Sequence, residues 1–229
     1  MKESPKFSVS VISHELRNPL TLIHSTLQLI GGRYPEVQQD PLWEQVMLDL
    51  NYMSKLLSEL SSLDTSQSLN YSQVNIRQIL TNVVRAFSSE AQLQEKSISL
   101  NFETSLQWIQ GDSLKIQEVL RNLLQNAMDA TQSKDYIDIT VQSKWKRLII
   151  IIRDSGCGMD RERISTIFEP FVTYKTNGTG LGLAIVKNIV DAHHGVIQVH
   201  SKPMIGTKIV LFLPIHSENK SIEKAAYNV

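Results

Sequence analysis

Leu148-Ile149-Ile150-Ile151-Ile152-Arg153-Asp154-Ser155-Gly156-Cys157-Gly158-Met159 is the stretch on which the fold turns. Its five consecutive apolar residues are far too few to cross a bilayer, and bounded by charge and glycine they predict a buried strand. On its N-terminal side Ile137, Ile139 and Val141 alternate with polar residues as a second strand, and Ser113 to Thr131 has helical spacing. Further back, Ile98, Leu100 and Phe102 alternate again, and Asn75 to Gln94 predicts another helix. On its C-terminal side Leu183 to His193 is helical and closes at Gly195, followed by strands over Val196 to Val199 and Lys208 to Leu213. Strands and helices in this mixed order predict an α+β fold, an α/β sandwich with helices on one face of a mixed, mostly antiparallel sheet.

The N-terminal third has a different rhythm. Val9, Leu16, Ile23 and Ile30 recur every seven residues with Leu20 and Leu27 beside them, Gly31-Gly32 and Pro35 break that helix, and Trp43, Leu50 and Leu57 interleave with Val46, Met53 and Leu60. Two seamed helices joined by a short connection predict an antiparallel helical hairpin, which leaves apolar surface wet until two copies form a dimeric four-helix bundle. From Asp64 to Ser72 the composition is polar, as in a linker. The expected boundaries are a hairpin at 1–66, a second domain at 71–216 and a flexible tail at 217–229.

At 229 residues the chain exceeds the roughly 150 of one average domain. With 41% hydrophobic and 20% charged residues it can bury a real core. Lys plus Arg and Asp plus Glu are 23 each, so no overall field draws in a nucleic acid or an anionic membrane. That zero hides a split: residues 1–70 carry five basic and eight acidic side chains, the remainder eighteen and fifteen. With no basic-then-apolar leader and no membrane segment the expectation is a cytoplasmic chain. The single cysteine, Cys157, excludes an internal disulfide framework and a cysteine-based zinc site, and it reads as a small space-filler.

Four motifs carry chemistry. In Ser13-His14-Glu15-Leu16-Arg17-Asn18-Pro19-Leu20-Thr21, His14 falls off the apolar seam, where an imidazole can act as a nucleophile. Glu15 beside it can hold a ring proton, and Asn18, one turn on, can orient a water or a phosphoryl group. Pro19 withdraws an amide from the helix and predicts a kink. Along Ser113 to Thr131, Glu118, Asn122, Asn126 and Asp129 form a polar stripe whose amide oxygens suit a Mg²⁺ that keeps some waters and touches phosphates. After the isoleucine strand, Asp154 can accept from an exocyclic amine such as adenine's, while Gly156 and Gly158 admit a flat ligand to the backbone. Gly178-Thr179-Gly180-Leu181-Gly182-Leu183 opens a helix in the manner of a phosphate-binding loop, and upstream Phe168 to Phe171 with Lys175 can close over a nucleotide. The adjacent His193 and His194 are poorly spaced for one metal ion and read as capping a helix end.

In this order these strings resemble the sensor histidine kinases of two-component signalling. Ser13 to Thr21 resembles that family's H box, Glu118 to Ala130 its N box, and Asp154 to Met159 its first glycine box. Phe168 to Phe171 resembles its F box, Gly178 to Leu183 its second glycine box, and Gly206-Thr207 its closing glycine motif. The resemblance implies that His14 is the phosphoacceptor, Glu15 its general base, and Asn18 the residue that positions water in a phosphatase reaction. It implies that Asn126 holds Mg²⁺, that Asn122 contacts the phosphates of ATP, and that Asp154 recognises adenine in a pocket shaped by Gly156, Gly158 and Met159. It assigns Lys175, Gly178, Thr179, Gly180, Leu181 and Gly182 to a phosphate lid. Partners follow as well: a second copy of the chain, and the receiver domain of a response regulator. Asp129 departs from the family, many members of which carry a basic residue there, and the lid is short. The sequence opens just before the H box, so the input is expected through a partner, or these residues are the core of a longer sensor. An ATPase of the gyrase, heat-shock or mismatch-repair kind would share the nucleotide motifs but lack the string around His14.

Overall fold

The computed structural model describes residues 9–63, 69–106, 108–175 and 178–215. The expected tail at 217–229 and most of the expected linker lie outside those residues. The chain divides into two compact units, Met1–Ser68 with Ile167–Ile185, and Leu69–Thr166 with Val186–Val229. No helix among the described residues is long and apolar enough to cross a membrane.

In the first unit α1 (Val9–Arg33) packs on α2 (Pro41–Leu63). Leu20, Leu50 and Leu57 form the buried centre, with Leu27 and Met47 against them. The Arg17 guanidinium donates to Ser61 Oγ at 3.2 Å across the pair. The helix does not stop at Gly31-Gly32 as expected but runs on to Arg33. A glycine costs a helix only about 1 kcal/mol, whereas Pro35 lacks the N–H needed to continue. The turn is a 3₁₀ helix over Pro35–Gln39, and Gln38 Nε2 donates back to the Gly31 carbonyl at 2.9 Å. Helix α1 also continues across Pro19.

The second unit is built on a five-stranded sheet of order β2-β4-β5-β7-β6: β2 (Ser97–Phe102), β4 (Tyr136–Lys144), β5 (Arg147–Asp154), β6 (Val196–Lys202) and β7 (Gly206–Pro214). Only β2 and β4 run parallel. The mixed, mostly antiparallel sheet is therefore the one the sequence predicts. Ile137, Ile139, Val141, Leu148, Ile150 and Leu211 are at most 1% exposed, and with α3 (Ile76–Leu93) and α4 (Ser113–Ala130) they make the core. A second, two-stranded ribbon of β1 (Ser72–Asn75) and β3 (Trp108–Gly111) was not foreseen, nor was the short α5 (Arg161–Thr166).

Helix α6 (Gly182–Ala192) ends differently from the expectation. His194, at φ 54°, makes the left-handed turn in place of Gly195, whose N–H donates to the Val190 carbonyl at 2.8 Å. His193 does more than cap. Its Nδ1–H donates to the Ile189 carbonyl at 2.8 Å, which leaves Nε2 to accept the Asp112 N–H at 3.0 Å. Asp112 caps α4 through Oδ1, and its Oδ2 accepts the Asn70 N–H at 3.0 Å. The Tyr71 ring lies 5.5 Å from His193. Burial holds the His193 pKa below its usual 6.5, with Asp112 and the Ile189 carbonyl opposing and His194 assisting.

The sign of the pH effect follows. The fold favours neutral His193, while the unfolded chain takes up a proton near 6.5, so this histidine's contribution is complete above that pH and is lost as pH falls toward the depressed value. Urea midpoints of the full chain are expected to drop from about pH 7 to about pH 5.5 more steeply than those of His193→Gln. Parallel curves for the two proteins would refute the assignment.

Candidate functional site

The two units hold different parts of the predicted machinery. In the second, Asp154 ends the apolar strand β5 and is 6% exposed. Its Oδ1 accepts two backbone N–H groups, Gly156 at 3.0 Å and Thr207 at 3.1 Å. Among the described residues no hydrogen bond is made to Oδ2, so one oxygen is fixed and the other is left for a ligand donor. Burial pushes the Asp154 pKa up, the two N–H bonds pull against it, and Asp135 adds a small rise.

The glycines of this loop serve the protein's own backbone first. A side chain at Gly158, at φ 63°, would stand 2.0 Å from the Lys202 carbonyl oxygen, and one at Gly156 would stand 2.2 Å from that of Ala130. The ligand-approach reason given for them is thus joined by a packing one: the loop lies flush on the C-terminus of α4 and on the β6–β7 turn. The Cys157 N–H donates to the Ala130 carbonyl at 3.0 Å and the Met159 N–H to Ser201 Oγ at 2.8 Å. Cys157 is exposed, so it fills no space; its backbone does the tying.

Helix α4 starts from the Asp112 cap and buries Leu120, Leu123, Leu124 and Ala127, which turns Glu118, Asn122, Asn126 and Asp129 outward together. Asn122 Nδ2 donates to the Glu118 carbonyl at 3.1 Å, which turns its amide oxygen away from the helix. Asn126 is half-buried and Asp129 is exposed, its Oδ1 accepting from Gln125 at 2.8 Å. The stripe thus offers hard oxygen donors at the helix end that the Asp154 loop covers.

In the first unit, Glu15 and Asn18 are exposed on α1. His14 immediately precedes Glu15 on the helix, its side chain outside the described residues. In the glycine-rich loop Gly180 sits at φ 70° with its carbonyl accepting the Phe171 N–H at 3.0 Å, and the Gly178 N–H donates to the Lys175 carbonyl at 3.2 Å. Lys175 is exposed, Leu181 wholly buried, and Gly182 begins α6. The Thr179 hydroxyl donates to the Glu59 carboxylate of α2. Glu59 was not foreseen: a lone acid in the second seamed helix carries no signal of its own, and Thr179 is 120 residues away.

Residues 7–69 match the family model of the His Kinase A (phospho-acceptor) domain. Residues 111–217 match that of the histidine kinase-, DNA gyrase B- and HSP90-like ATPase. The sensor histidine kinase ZraS of Klebsiella oxytoca is 31% identical over 211 residues, 91% of this chain and 46% of ZraS. Sporulation kinase C of Bacillus subtilis is 29% identical over 224 residues, 95% of this chain and 52% of that protein. The chain spans about half the length of the curated relatives it matches. Among solved structures, the nucleotide-free catalytic domain of the histidine kinase ThkA is 28% identical with a TM-score of 0.60, covering 64% of this chain and 96% of that one. Full-length ShkA in complex with AMPPNP is 23% identical with a TM-score of 0.78, covering 91% of this chain and 46% of ShkA, a likeness of fold.

Proposed function

This chain belongs to the sensor histidine kinases of two-component signalling, and from that premise we propose that it transfers the γ-phosphoryl of ATP to His14 and thence to an aspartate of a response-regulator receiver domain. An imidazole nitrogen of His14 attacks the γ-phosphorus, ADP leaves, and Glu15 takes the ring proton. Asn18, exposed one turn beyond His14, orients water when the phosphorylated regulator is hydrolysed instead. Asp154 accepts from the adenine amine beside Gly156, Gly158 and Met159, and Asn122 meets the phosphates. Lys175, Gly178, Thr179, Gly180, Leu181 and Gly182 form the loop that closes over them, Leu181 as its buried anchor. Mg²⁺ fits the oxygen donors of the α4 stripe, with Asn126 as the protein ligand and Asp129 nearby; when bound it neutralises charge on the transferred group.

A homodimer is part of the proposal. Leu16, Ile23 and Ile30 on α1 and Val46 and Met53 on α2 stay 38–51% exposed although they hold the seven-residue rhythm. A second hairpin would bury that stripe in a four-helix bundle.

The observation that carries the nucleotide assignment is Asp154: desolvated, with one oxygen held by two backbone amides and the other open. A hydrogen bond to a buried charge contributes about 1.5–3 kcal/mol. Asp154→Asn is therefore expected to weaken ATP binding roughly 10- to 100-fold, and GTP binding of the parent chain to be weak because guanine presents a carbonyl at that position. Equilibrium titration with a fluorescent ATP analogue measures it; unchanged affinity in the variant would remove Asp154 from the site.

A further inference from the structure

We propose that the outer face of the sheet, at the end where β5, β7 and β6 lie side by side, binds a small oxyanion carrying two or more negative charges. In the strand register Arg153 stands opposite Lys208, and Lys208 opposite His200. Side chains of one face that sit directly opposite across strands are about 5 Å apart at Cβ. Lys202, two residues beyond His200, shares that face. All four are exposed.

Like charges set directly opposite one another destabilise a sheet. Three other lysines do lie beside acids, in Lys55–Glu59, Lys115–Glu118 and Lys187–Asp191. Among the described residues none of the four basic side chains on the outer face forms an ion pair. Asp138 is the one carboxylate in their row, next to Arg153 on β4, and its Oδ1 accepts from Ser99 at 2.6 Å. The four basic residues, with Ile205, line an open concavity of about 360 Å³. That volume falls within the range of small-ligand sites.

The site is distinct from the nucleotide pocket. Asp154, Thr207 and Ser201 also border the concavity, but they are the next row of the register, and strand alternation points their side chains to the opposite face. There the Asp154 carboxylate is already held by Gly156 and Thr207. An arginine fork with two lysines and a histidine suits clustered phosphoryl or carboxylate groups equally. The zero net charge of the chain disfavours a long polyanion.

The test uses the full chain with its nucleotide site saturated by a non-hydrolysable ATP analogue. Inorganic tripolyphosphate or citrate is titrated in while the imidazole carbon-bound proton resonances of His200 are followed at constant ionic strength. A saturable His200 shift is expected with at least one of them, and the tighter anion sets the class, phosphoryl or polycarboxylate. The shift should vanish in Arg153→Ser/Lys208→Ser, whose retained ATP binding reports that it is folded. As an independent readout, Lys208→Gln alone should raise the thermal midpoint without anion and lose the further rise that anion gives the parent chain. No shift with either anion at millimolar concentration, a linear drift without saturation, or the same saturable shift in the double variant overturns the proposal.

Discussion

A His14→Gln chain incubated with γ-labelled ATP is expected to take up no label above background, while its ATP affinity stays that of the parent. Glutamine matches imidazole in polarity and approximate size and is a good helix former, so α1 persists. It has no basic ring nitrogen with a lone pair for the phosphorus, and neither Glu15 nor Asn18 can replace one: a phosphoryl group on a carboxylate is a far more reactive anhydride, and an amide nitrogen is not nucleophilic. The nucleotide residues on α4 and after β5 are untouched, which is why binding and transfer separate. Label on the parent chain should be lost in acid and kept in base, as for a phosphoramidate. Label that survives the substitution, or that resists acid, would place the acceptor elsewhere.

Gly158→Ala is expected to cost the fold about 3–5 kcal/mol, a large fraction of the roughly 5–15 kcal/mol that holds a domain folded. Two penalties combine. The residue sits at φ 63°, where a Cβ is strained by about 1 kcal/mol, and that Cβ would lie 2.0 Å from the Lys202 carbonyl oxygen. The oxygen belongs to the backbone and cannot swing aside as a side-chain tip could. Relief means moving the loop off the β6–β7 turn and with it the Thr207 and Gly156 amides that hold Asp154. Gly32→Ala is the contrasting control, since a Cβ there meets nothing within 4 Å inside α1. It should stabilise by about 0.5–1 kcal/mol through helix propensity. Urea denaturation of the two variants and the parent measures both, and a Gly158→Ala midpoint close to the parent's would overturn the packing account.

Most of the architecture was legible because its elements are long and periodic. The seven-residue rhythm of Leu16, Ile23 and Ile30, the alternation through Ile137 to Val141 and the run Leu148 to Ile152 each repeat the same physical requirement several times. The β1–β3 ribbon was illegible for the converse reason: Val74 and Ile109 are each the sole apolar core residue clearly marked within four, too few to show a period. Gly195 misled because glycine is the usual left-handed residue after a helix, yet His194 takes that conformation here while His193 is held from both ring nitrogens. At the site, Asp154 was readable from its position after an apolar strand. Apart from the local Gly156 amide, which oxygen is tied and that Gly156 and Gly158 yield to Ala130 and Lys202 depend on contacts between residues 26 to 53 positions apart, which local pattern does not carry.

The one parallel pair in the sheet bears on how the chain reaches this structure. Strands β4 and β5 are joined by a two-residue turn and β6 and β7 by a three-residue turn, so each pair can close quickly from within. Strand β2 has no such route, since it meets β4 at a separation of 39 residues with β3 and α4 strung between them. Loop-closure entropy makes that pairing slower than either hairpin, as it does the β5–β7 pairing between Asp154 and Thr207. The crossover itself is α4, which carries Asn122 and Asn126, so the step that seats β2 also fixes the polar stripe against the sheet. Folding intermediates that possess only the two hairpins would therefore carry Asp154 without the Thr207 amide that holds it and without the seated polar stripe, and nucleotide could reward only the long-range pairings that follow.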